Sequence, residues 1–93
     1  MVNAFVLIDA EPARVADLAA ELTELPGVSE VYSVTGDVDL VVIVRVKEHE
    51  QLAEVVTREI AGLPGIRGTR TMVAYKAYSR HDLDAIFDVG RPS

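Results

Sequence analysis

The tetrapeptide Leu25-Pro26-Gly27-Val28 recurs, with one aliphatic exchange, as Leu63-Pro64-Gly65-Ile66. Each copy stops a helix-patterned segment and opens a β-branched one, because proline cannot continue a helix and glycine permits the reversal. Before the first copy, Val15, Leu18, Leu22 and Leu25 fall at helical spacing, while Arg14, Asp17, Glu21 and Glu24 take the other side. Pro12 suits the first turn of that helix, since its fixed φ fits and its missing N–H costs nothing there. Before the second copy, Leu52, Val55, Val56, Ile60 and Leu63 repeat the pattern from about Glu48 to Leu63. Each helix follows an apolar strand, Val2 to Ile8 in one half and about Val38 to Val46 in the other. Each leads into another strand, Val28 to Val34 and then Ile66 to Tyr78. The order is β-α-β-β-α-β, a duplicated βαβ unit. Only the turn TGDVD separates strands two and three, so they must be antiparallel neighbours. Right-handed crossovers then put both helices on one face of a four-stranded antiparallel sheet, with strands one and three at its centre. The expected fold class is α+β, ferredoxin-like.

The stretch Ser33 to Val46 concentrates the polar chemistry of the chain at the mouth of its most apolar strand. Leu40 to Val44 is too β-branched for a comfortable helix and reads as a central strand. In the turn before it, Gly36 allows a positive φ, Asp37 can bond its own backbone, and Asp39 stands where the strand begins. A small ligand, if the protein takes one, is expected at that turn. Strands one and three lack the polar alternation of a sheet with one wet face. The second sheet face is therefore expected to be covered, and another copy of the chain is the cover within reach. This predicts a homodimer with sheet packed on sheet, a dimeric α/β sandwich.

Composition closes off several classes. A chain of 93 residues with 49% hydrophobic content forms one domain. The domain is expected over residues 1–79. The tail, residues 80–93, is read as a short C-terminal helix with Leu83, Ile86 and Phe87 on one face. A net charge of −6 without a basic cluster argues against direct binding to nucleic acid. The absence of cysteine removes disulfides and thiolate metal sites. Met1 to Pro12 lacks the basic start and long apolar core of a secretory leader, and no apolar run approaches the roughly 20 residues of a membrane helix. The expected compartment is the cytoplasm. His49 and His81 stand in no metal-ligand spacing, and no nucleophile–base–orienter set is visible, so neither a metal nor a catalytic residue is assigned.

The β-α-β-β-α-β order, the LPGV joint, the VTGDVDLVVIVRV hairpin and the TRTMVAYKAY final strand resemble the ligand-sensing (RAM) domain of the Lrp/AsnC, or feast/famine, transcriptional regulators. The resemblance covers roughly Val2 to Tyr78. Members of that family carry an N-terminal helix-turn-helix domain, for which this chain leaves no room, so it looks like a stand-alone sensing domain. The resemblance implies sheet-to-sheet dimers that assemble into rings, commonly octamers, and an amino-acid-like effector bound between dimers. It implies no cofactor. By matching motif, the effector contacts would come from Gly36, Asp37 and Asp39 in the turn and from Thr69, Arg70 and Thr71 at the start of strand four. The aspartates would accept hydrogen bonds from an effector ammonium, and the threonines and backbone N–H groups would hold its carboxylate. The alternative is that these residues only shape the hairpin. Val38 stands where family members often have an aromatic. Mixed assembly with full-length regulators is a further implied partnership. A different function class, a small dimeric ferredoxin-like enzyme such as a haem-using monooxygenase, would need a pocket inside the subunit and an axial ligand, for which His81 is the candidate.

Overall fold

The computed structural model describes residues 1–78 and Arg80. The expected tail helix and His81 lie outside the described residues. Four strands, β1 (Val2–Ala10), β2 (Val28–Ser33), β3 (Leu40–Val46) and β4 (Ile66–Val73), form one antiparallel sheet in the order β2-β3-β1-β4. Helix α1 (Val15–Thr23) follows a short 3-10 turn at Pro12–Arg14, where the proline sits as expected. Helix α2 (His49–Glu54) runs on into a π-helical turn at Val55–Ile60. The β-α-β-β-α-β order and the central pair β1 and β3 are as the repeat required.

The pleat sorts the strands. On β1, Ala4, Val6, Ile8 and Ala10 are buried, and on β3 Leu40, Val42, Val44 and Val46. With Leu18 and Leu22 of α1, Leu52 of α2, and Val55 and Ile60 of the π-helical turn, they make one core. The alternate residues of both strands face away from the helices and are only partly covered. In composition these strands look two-sided, but in the single chain one side is open.

The two LPG joints act as matched clasps. The Gly27 carbonyl accepts a hydrogen bond from the Arg45 N–H at the end of β3, and the Gly65 carbonyl accepts one from the Glu11 N–H at the end of β1, each at 2.8 Å. Each half of the duplication is thus fastened to the strand that begins the other half. Both glycines have positive φ, 87° and 96°. A Cβ on Gly27 would lie 2.7 Å from Val46 Cγ1, so the joint also needs the missing side chain. Arg14 lies over the second joint. Its Nε donates to the Pro64 carbonyl at 3.2 Å and its guanidinium pairs with Glu21 at 2.6 Å.

Two expectations need correction. Strand four ends at Val73 instead of running to Tyr78. Among the described residues it pairs with β1 alone, where Val73 lies opposite Ala4 and the Ala74 N–H donates to the Asn3 carbonyl. Beyond that point β1 has nearly run out. The second helix is not uniformly α-helical either. The buried residues of its widened turn are Val55 and Ile60, five residues apart.

Candidate functional site

The hairpin turn reaches beyond the sheet, with Gly36 at φ 112° and both Gly36 and Asp37 exposed. A Cβ on Gly36 would meet nothing within 4 Å, so this glycine serves the turn's conformation and not its packing. Asp39 is different, because β1 passes beside it. Its backbone N–H donates to the Ile8 carbonyl at 2.9 Å, and its Oδ2 accepts from the Ala10 N–H at 2.8 Å. The carboxylate therefore closes the top of β1, past the last residue that β3 pairs. A carboxylate has acceptor capacity beyond one such bond.

The register places the other candidates relative to that point. Thr69 lies opposite Ile8, Arg70 opposite Leu7 and Thr71 opposite Val6. Directly opposed residues share a face. Thr69 and Thr71 are therefore on the helix side, like Ile8 and Val6, and Arg70 is on the open side. The main helix contacts are with β1, β2 and β3, and both threonines, though on the helix side, are exposed. Asp39 and Thr69 flank β1 at the same end of the sheet, two strand spacings or roughly 10 Å apart. The structure thus gathers the turn and the start of β4 at one end but does not bring all six residues into contact. Nothing among the described residues groups three His, Cys, Asp or Glu side chains as a metal would require. No polar or charged residue among the described residues is buried as a whole.

A cleft of ≈ 630 Å³ lies at the opposite end of the sheet. Val46, Val55 and Gly27 line its apolar part, and Arg45, Lys47 and Glu59 supply charges of both signs. Sequence reasoning did not point there, because the cleft arises where the first joint meets the end of β3. Residues far apart in the chain form it, and the joint motif marks a turn there, with nothing to mark a cleft. On the open sheet face, the Tyr32 hydroxyl donates a hydrogen bond to the Glu30 carboxylate. That bond, and then the carboxylate's negative charge, hold the Tyr32 hydroxyl above the ordinary tyrosine value.

Comparison with known proteins gives these features a family. The family profile that matches residues 3–83 is described as the Lrp/AsnC ligand binding domain. The HTH-type transcriptional regulator FL11 of Pyrococcus horikoshii is 36% identical over 75 residues, covering 81% of this chain and 49% of the regulator. The chain spans about half the length of the curated relatives it matches. The crystal structure of TTHA0845 from Thermus thermophilus superposes with a TM-score of 0.82 at 50% identity, covering 86% of this chain and 100% of that one. A feast or famine regulatory protein from M. tuberculosis, solved as a complex with L-methionine, superposes with a TM-score of 0.71 at 29% identity over 86% of this chain and 54% of its own. The profile covers most of the sequence, and the strand order, joints and hairpin lie within it; the chain belongs to the Lrp/AsnC family, as a ligand-binding domain related to transcriptional regulators.

Proposed function

We propose that this chain is a non-enzymatic sensing and oligomerisation module whose effector is an amino acid. The observation that supports this reading is the placement of Asp39 and Thr69 on either side of β1 at one sheet end. An anion and a hydroxyl presented about a strand's width to each side suit a small zwitterion. The ammonium would bond to Asp39, and the carboxylate would bond to hydroxyl and backbone donors. The helix-side threonines and the open-side Arg70 cannot all reach one small molecule from a single subunit, so the site is completed by a neighbouring subunit. The L-methionine complex of the similar M. tuberculosis regulator supports an amino acid as the class of effector. The open apolar sheet face supports a sheet-to-sheet homodimer as the unit from which larger rings, such as octamers, assemble. Such a module would act in the cytoplasm without touching nucleic acid itself, alone or in mixed assemblies with full-length regulators.

A thermal-shift screen against the amino acids tests the reading. A ligand that binds only the folded state stabilises it by about 2.7 kcal/mol at a hundred-fold excess over Kd. Asp39→Asn keeps an acceptor for the Ala10 N–H and removes the charge. It should leave the unliganded melting temperature near that of the parent while abolishing the ligand shift. The assignment fails if a stabilising amino acid shifts Asp39→Asn and Thr71→Ala as much as the parent.

A further inference from the structure

The chain leaves the sheet at the end where the cleft opens. Strand β4 runs against β1 and stops with Val73 opposite Ala4, and the Ala74 N–H donates to the Asn3 carbonyl. At that same end Val2 lies opposite Val46, which lines the cleft. Residues 74–80 can span about 23 Å when extended, and β4 lies two strand spacings, or about 10 Å, from β3. The residues just past Arg80 can therefore reach the cleft of their own subunit.

The cleft offers both apolar surface and charge. Its volume of ≈ 630 Å³ is of the size that encloses a few side chains. Met1, which is 84% exposed, and Pro26 extend the apolar part formed by Gly27, Val46 and Val55. Arg45 and Lys47 line it as well, and Lys47 makes no ion pair among the described residues. The charge of Glu54 is already met by Arg58 at 3.1 Å, which leaves Glu59 as the uncompensated carboxylate of the lining among the described residues. The sequence past Arg80 carries the complement. Leu83, Ile86 and Phe87 stand at three- and four-residue intervals, the spacing of an apolar helix stripe, and Asp82, Asp84 and Asp88 interleave with them. The family profile ends at residue 83, short of Ile86 and Phe87.

We propose that the cleft is the docking site of the chain's own C-terminal segment, with Leu83, Ile86 and Phe87 against Met1, Pro26 and Val46 and the aspartates toward Arg45 and Lys47. The tether favours this occupant over a free one, because a segment held by a short link is present at an effective concentration on the order of millimolar. Glu59 repels aspartates on its side, so charge decides which way the segment lies. Covering Met1 also takes a large apolar side chain out of water. Asp39 and Thr69 are at the other end of the sheet, so the docked segment leaves the proposed effector site open, and the two proposals stand or fall separately.

Paired cysteines in the full chain test the docking, since the chain has none of its own. Glu54→Cys with Asp88→Cys should link within one chain under a short bismaleimide, at several times the yield of Thr71→Cys with Asp88→Cys. Thr71 lies on β4 near the point where the segment leaves, so an undocked segment would find it at least as readily. Replacing Leu83 and Ile86 by serine should erase the difference, and Lys47→Glu should reduce it. In amide spectra of the full chain without cysteines, Phe87→Ser should move the signals of Gly27, Val46 and Lys47 and leave that of Gly36 in place. Equal or better linking through Thr71, links that join two chains instead of closing one, or unmoved Gly27 and Lys47 amides would each overturn the proposal.

Discussion

At the level of single residues, the first joint shows how a glycine is held in place by two separate demands. Gly27 needs its positive φ, and the space its Cβ would occupy is already taken by Val46. Gly27→Ala should therefore destabilise the fold by about 1–3 kcal/mol, read as a lower denaturant midpoint with an unchanged m-value. Asp39 could be singled out from the sequence by its place before an apolar strand. Its bond to the Ala10 N–H could not, because that depends on how far β1 outruns β3. Tyr32 offers a spectroscopic readout of the open face. Its folded-state pKa lies above the unfolded one, so the Glu30 contact adds stability below the unfolded tyrosine value. That contribution is lost as pH rises through the raised value. Glu30→Gln should return the Tyr32 absorbance titration toward the ordinary range, and an unmoved titration would refute the assignment.

Among the elements, those fixed by strong periodicity and by proline were legible, and those fixed by their neighbours were not. The joints at residues 26 and 64 announced both helix ends, and the short TGDVD turn required β2 and β3 to pair. The length of β4 was misread because IRGTRTMVAYKAY has strand composition throughout, whereas a strand lasts only as long as its partner. The π-helical turn left no trace in the pattern, since Val55, Val56 and Ile60 satisfy an α-helical reading equally well. Inserting one residue into a turn changes which side chains stack without changing composition. Ile60, fully buried at the end of that turn, closes the core under α2. Ile60→Ala should cost about 2–5 kcal/mol in chemical denaturation, the range for emptying a fully packed aliphatic site. A loss under about 1 kcal/mol would mean that the widened turn collapses to fill the space.

For the molecule as a whole, acidity and the open sheet face make separate predictions. With a net charge of −6, the isolated chain should not retard duplex DNA at physiological salt, and a shift at low micromolar protein would contradict this. Leu7→Glu places a carboxylate at the centre of the open face, outside the core of the single chain. The variant should keep its circular dichroism but scatter light as a monomer, because an unpaired charge is costly to bury between sheets. The two clasps have a consequence for how the fold comes apart. Gly27 of the first half is tied to β3, and Gly65 of the second half is tied to β1, so neither half can seat its joint while the other is loose. The Glu11 and Arg45 amides, distant in sequence and at opposite ends of the central strands, should then share one opening event. In native-state hydrogen exchange both should report the same free energy, close to that of complete unfolding. A chain cut within the TGDVD turn should yield two fragments that are unstructured apart and fold only when mixed.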